Sequence, residues 1–265
     1  MADKLADKLA DKLADKLADK PADKPAGQVV GYRVLVSRDG GPGPGTSRLT
    51  PGAKCSMVFA MSDDLRPWER VIWAKPRTGE ESVGRTGKTL LDFWRWAHSD
   101  LLVNTARGVL AEYLVATAVG DRSAVRDGWA THDVTMPEGD GFPAIKVEVK
   151  NGGFLQTWKQ PGYSKIHFGR LRSWGWNEET GRLDVPPGYH ADVYVFAVHT
   201  CMDPDQLDIL DLAQWDFRVL DRGTIEEYGT KSLAWSTVQR MAPQAVPWEG
   251  LGDAVREAYG GRGED

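Results

Sequence analysis

The chain has 265 residues, 41% of them hydrophobic and 27% charged, with a formal net charge of -5. That length can bury one sizeable core, and the acidic balance excludes a protein that coats nucleic acid through net charge alone, while leaving room for a local basic face. Cys55 and Cys201 are too few for a disulfide framework or a cysteine-rich zinc site; with no secretory signal and no apolar run long enough to span a bilayer, the cytoplasm is the expected location and no membrane partner is expected.

Residues 1–27 repeat Ala-Asp-Lys-Leu and then Ala-Asp-Lys-Pro. Leucines at every fourth position drift around a helix without making a broad apolar face, and Pro21 and Pro25 end any helix. A solvated low-complexity tail is expected. Residues 28–88 form an N-terminal extension rich in strands and loops, with strands predicted at residues 31–37, 55–61 and 68–74. The run from Ser82 to Thr89, SVGRTGKT, ends like a phosphate-binding loop, but the first glycine of that motif is replaced by Ser82. A loop with Thr89 capping the next helix is the simpler expectation.

A core domain is expected over residues 89–242. Helices are predicted over residues 89–97 and 100–118, the second capped by Ser99, stopped by Gly120, and carrying a stripe of Leu101, Leu102, Val109, Leu110, Leu114 and Val115. Glu112 sits in that helix beside Ala111. Residues 129–136 and 144–150 read as two strands joined by a turn-rich segment, Pro137 to Pro143. Paired about that turn, they set Asp133 opposite Glu148 or one residue away, with Lys150 on the same face as Glu148. Asp140, between two glycines, reads as a turn residue. From Lys146 to Arg172 six basic residues stand against one acid, a local charge of +5, with Trp158 and Trp174 interleaved or adjacent. Such a patch suits a phosphate backbone.

Residues 164–168 read as a short strand, residues 191–199 as a central strand covered on both faces, and residues 211–220 as a further strand. Helical text follows at 224–228 and 232–241, and residues 243–265 read as a peripheral tail. The order predicts an α/β or α+β domain with a mixed central sheet flanked by helices.

Glu112, Asp133 and Glu148-Val149-Lys150 together resemble the PD-(D/E)xK nuclease superfamily, with His132 where the family name has proline. Glu148 to Lys150 is the only acid-x-lysine in the chain. The resemblance spans roughly residues 92–220 and implies a restriction-endonuclease-like core. It also implies a Mg2+-dependent endonuclease acting on DNA, with Mn2+ as a substitute and a homodimer as one assembly of that fold. On this likeness Asp133, Glu148 and the Val149 carbonyl would hold the metal. Lys150 would orient the attacking water, and Glu112 would bind the metal through water or hold Lys150. Gln156 resembles a glutamine that follows the motif in some branches; with Lys159, Lys165, Arg170 and Arg172 it makes the expected DNA-binding set. Two other classes compete: a nucleic-acid-binding or assembly module that keeps the fold without turnover, and a nucleotide-binding protein using residues 82–89.

Overall fold

The computed structural model describes residues 74–177 and 180–261. The chain divides into two units between Asp64 and Leu65, and every described residue belongs to the second. The strands and repeat expected over residues 1–73 lie outside the described residues.

The second unit is mixed α and β. Its four-stranded sheet comprises β1 (Val134–Met136), β2 (Ile145–Gly153), β6 (Val193–His199) and β7 (Trp215–Asp221), in the order β1-β2-β6-β7. β1 is antiparallel to β2, β2 is parallel to β6, and β6 is antiparallel to β7, so the sheet is mixed as expected. β6 lies between two neighbours and all seven of its residues are buried, which accounts for its unbroken apolar text.

Strand alternation divides the core into two faces. On one, Ile145, Val147, Val149, Val193, Val195, Ala197 and Phe217 pack against α2 (Asn104–Val119) and α5 (Leu251–Gly260). On the other, Tyr194, Phe196, Val198 and Leu220 pack beneath α3 (Arg222–Tyr228), α4 (Trp235–Met241) and the small pair β3 (His167–Phe168) with β8 (Leu233–Ala234). The long passage between the parallel strands β2 and β6 also carries an antiparallel hairpin, β4 (Ser173–Asn177) with β5 (Arg182–Gly188), which the sequence reading missed.

Thr89 caps α1 (Leu90–His98): its hydroxyl accepts from the Asp92 N–H, and the Asp92 carboxylate accepts from the Thr89 N–H at 2.9 Å. Ser99 ends α1 instead of starting α2. The Asp100 carboxylate takes the Leu102 N–H at 3.1 Å, turning residues 100–103 out of the helix. α2 therefore starts at Asn104, and it stops at Gly120 in the left-handed conformation that only glycine adopts cheaply. Its buried stripe is Arg107, Ala111, Val115 and Val119, spaced by four, while Val109 is exposed. Of the predicted stripe, Val115 is fully buried and Leu110 and Leu114 pack half-buried against the core, whereas Leu101 and Leu102 precede the helix; the small Ala111 lets the helix approach the sheet.

Arg107 is 2% exposed, and its partners among the described residues are all neutral: Asn151 Oδ1 at 3.1 Å, the Leu102 carbonyl at 3.0 Å, Gln156 Oε1 at 3.5 Å and Asn104 Oδ1. Burial lowers its pKa to about 10. Gly153 gives it room, since a Cβ there would lie 2.9 Å from Arg107 Nη1, and on the opposite face a Cβ at Gly152 would lie 2.6 Å from Ile166 Cγ2. The two glycines after Lys150 thus let both layers close on the end of β2.

The C-terminal segment differs from the peripheral tail expected. Leu251 and Val255 of α5 are fully buried against α2 and β7, and Trp248 Nε1 donates to the Leu114 carbonyl at 2.9 Å. The apolar positions 251, 255 and 258 recur at helical spacing, a signal the surrounding charges obscured. Leu251→Ala is expected to cost about 2–5 kcal/mol in urea denaturation; a change below about 0.5 kcal/mol would mark α5 as a surface appendage.

Candidate functional site

β1 is three residues long and lies at the sheet edge. Its register, Val134 with Val147 and Met136 with Ile145, places Asp133 opposite Glu148 when continued by one residue. The backbone leaves the regular ladder there, with the Asp133 N–H donating to the Val147 carbonyl at 3.1 Å. β2 runs on beyond β1 while still paired with β6, and on the β1 side the Asp133 carboxylate takes the place of a strand: its Oδ2 accepts from the Val149 N–H at 2.8 Å. Alternation puts Asp133, Glu148 and Lys150 on the sheet face away from α2. Lys150 Nζ donates to Glu148 Oε1 at 2.6 Å, with both side chains less than one-fifth exposed.

Burial pushes the Asp133 carboxyl up to about 6, and the neighbouring Glu148 charge adds to the rise; the Val149 N–H, Lys150 and Arg126 oppose it. Tyr194, which pairs with Glu148 across β2 and β6, is also raised, first by burial and then by Glu148. The Val149 side chain faces the α2 layer.

Glu112 is not among the residues gathered with this pair. α2 packs on the other face, and Glu112 follows the buried Ala111 in that helix. It binds Arg126 through two contacts, one from Nε and one from Nη2 at 2.9 Å. Residues 120–133 wrap around the edge strand, and the Asp121 carboxylate takes the Thr135 N–H at 2.8 Å. Arg126 is thereby carried round to where its charge acts on both Glu112 and Asp133. Sequence reasoning missed Arg126, which sits in a bend with no periodicity to mark it. The same wrap shortens the strand predicted over residues 129–136 to Val134–Met136.

Gln156 does not face outward as a DNA contact would. Its amide donates to the Gly153 carbonyl and to Ser164 Oγ, both at 3.1 Å, and so ties down the loop after β2. Lys159, Lys165, Arg170 and Arg172 are exposed, Arg172 Nε donating to the Pro187 carbonyl at 3.1 Å and Arg170 standing at φ 55°. Asp140 occupies the tight turn between Gly139 and Phe142, at φ 52° and exposed. His132 turns to Thr135 Oγ1 at 2.8 Å.

Among the described residues no set of three or more His, Cys, Asp and Glu side chains could hold a metal ion. The donor chemistry at Asp133 and Glu148 nevertheless suits a hard cation that retains several waters. Each carboxylate commits one oxygen, to the Val149 N–H or to Lys150, and no hydrogen bond within the described residues engages the other. A helix terminus at residues 82–89 fits a phosphate less well, because the Asp92 carboxylate already occupies the α1 N-terminus.

No protein-family model matches this chain. Neither the curated proteins nor the solved structures contain a match. No helix among the described residues is long and apolar enough to cross a membrane.

The raised Asp133 carboxyl has a direct consequence for stability. Between its ordinary value of 3.8 and about 6 the folded chain holds a proton that the unfolded chain releases, so stability falls as pH rises through that window. The difference caps the effect at about 3 kcal/mol, and residual solvent contact reduces it to about 1–2 kcal/mol. Urea midpoints in EDTA should decline from pH 4 to pH 6.5 by more in the native chain than in Asp133→Asn; equal slopes would show that the carboxyl titrates normally.

Proposed function

We propose that this protein is a metal-dependent endonuclease that hydrolyses DNA phosphodiester bonds at Asp133, Glu148 and Lys150, on a core of the restriction-endonuclease-like kind. The observation that carries the reading is the register: two carboxylates opposite each other just before β1 begins, with a half-buried lysine 2.6 Å from one of them. Lys150 and Arg126 offset part of this like charge, and a cation on the free carboxylate oxygens would offset it further. The order of helix, aspartate strand and Glu-x-Lys strand supports the likeness to the PD-(D/E)xK superfamily.

The reaction adds water across one P–O bond and leaves a phosphate monoester and an alcohol. Asp133 and Glu148 would hold Mg2+, or Mn2+ in its place, with the Val149 carbonyl as a further donor. When bound, the ion would lower the pKa of a water and offset charge on the phosphate oxygens. Lys150, held by Glu148, has donors left to orient the attacking water and to stabilise charge growing on a non-bridging oxygen. Asp133, anchored by the Val149 N–H, keeps its carboxylate fixed on the strand. Glu112 acts one step away by holding Arg126. The exposed Lys159, Lys165, Arg170 and Arg172 would meet the DNA backbone, and a homodimer would present two such sites.

A second reading, a nucleic-acid-binding module without turnover, has its own support: Glu112 is engaged by Arg126 instead of joining the carboxylate pair. Incubation with supercoiled plasmid, single-stranded DNA and branched DNA separates the two. Cleavage is expected with Mg2+ and not with EDTA, and Lys150→Ala and Asp133→Ala should each reduce it by at least about a hundredfold while keeping the circular dichroism of the native chain. Nicking that survives Lys150→Ala contradicts the assignment, and retention of DNA without cleavage favours the binding module.

A further inference from the structure

Arg126 and Trp129 share one bend at the approach to Asp133, and both are built to be held open. Glu112 grips the guanidinium through Nε and Nη2, so the head is fixed in direction while donors remain on Nη1 and on Nη2. Its side chain is still 45% exposed. An arginine oriented beforehand by a carboxylate loses little further freedom when it takes a phosphate oxygen.

Trp129 is 68% exposed, and its ring lies against Trp176, with centroids 4.9 Å apart and planes inclined at 43°. The Trp129 N–H donates to Asp127 Oδ1 at 2.8 Å, which fixes the bend. The β4–β5 hairpin is seated directly on this segment. A Cβ at Gly175 would lie 3.1 Å from Thr131 Cγ2 and 3.0 Å from Val185 Cβ, so only glycine permits the approach that brings Trp176 under Trp129. The Trp129 ring is thus braced by Trp176 and still largely exposed, in the same bend as a fixed cation.

We propose that this bend receives an unpaired DNA strand, with Arg126 taking a backbone phosphate and Trp129, seated on Trp176, stacking on the neighbouring base. The inference rests on the reading of Asp133 and Glu148 as a phosphodiester site and specifies the form of its substrate. Bases within a duplex are stacked on each other and offer no open face to a protein ring, whereas every unpaired base does. The four residues from Trp129 to Asp133 span at most about 14 Å, which places the stacked base within a few nucleotides of the scissile phosphate. The positive charge of Arg126, three residues before Trp129 in the same bend, matches the strand's backbone.

The test uses the full chain in EDTA, where binding is read without hydrolysis. A labelled thymidine dodecamer and a duplex of the same length are titrated by fluorescence anisotropy, with tryptophan quenching followed in parallel. The native chain should bind the single strand more tightly and show quenching. Trp129→Ala should weaken single-strand binding at least about fivefold, Trp129→Phe should retain most of it, and Arg126→Gln should weaken it and lower the salt slope by about one. Tighter binding to duplex by the native chain, or an unchanged dodecamer affinity in Trp129→Ala, overturns the proposal. Binding that depends on Trp129 and Arg126 in a chain that cleaves nothing with Mg2+ contradicts the nuclease reading alone.

Discussion

The structure turns on the burial of Asp133 beside Glu148. Burial pushes the Asp133 carboxyl up, and the Glu148 charge set across the strand pair adds to the rise. The chain offsets that cost with what surrounds the pair: the Val149 N–H on Asp133, Lys150 on Glu148, and Arg126 close enough for its charge to act on Asp133. Asp133 and Glu148 each keep one carboxylate oxygen that no hydrogen bond within the described residues engages, an arrangement suited to a cation.

Much of the fold serves to hold the end of β2 still. Arg107 joins the start of α2 to Asn151, and Gln156 closes the loop that follows onto Gly153 and Ser164. Gly152 and Gly153 lack side chains so that Ile166 and Arg107 can approach from opposite faces. Breaking the bonds of a buried guanidinium leaves its charge unsatisfied, so the rigidity of Lys150's strand depends on a residue on the far side of the sheet.

The parts of this arrangement legible in the sequence are those governed by local periodicity. The turn residues between β1 and β2 carry the register of Asp133 and Glu148, the apolar run of β6 marks a strand covered on both faces, and Thr89 and Gly120 mark a helix start and a helix stop. What was not legible depends on chain placed around chain. Arg126 becomes a neighbour of Asp133 only because residues 120–133 wrap the sheet edge, and that wrap in turn separates Glu112 from the carboxylates. The β4–β5 hairpin hides behind Pro186, Pro187 and Gly175, residues that usually argue against strands. On the buried face of α2, Val115 was legible as apolar text, but Arg107 and Ala111 were not, since a charged and a small residue carry no hydrophobic signal.

Divalent-ion binding at the carboxylate pair is the central claim, and crystals soaked in Mn2+ test it most directly through anomalous scattering. The account predicts one strong anomalous peak bonded to carboxylate oxygens of both Asp133 and Glu148, at about 2.0–2.3 Å, that is absent from Asp133→Asn crystals. A peak elsewhere on the chain with none at this pair, or one that persists in Asp133→Asn, would contradict it.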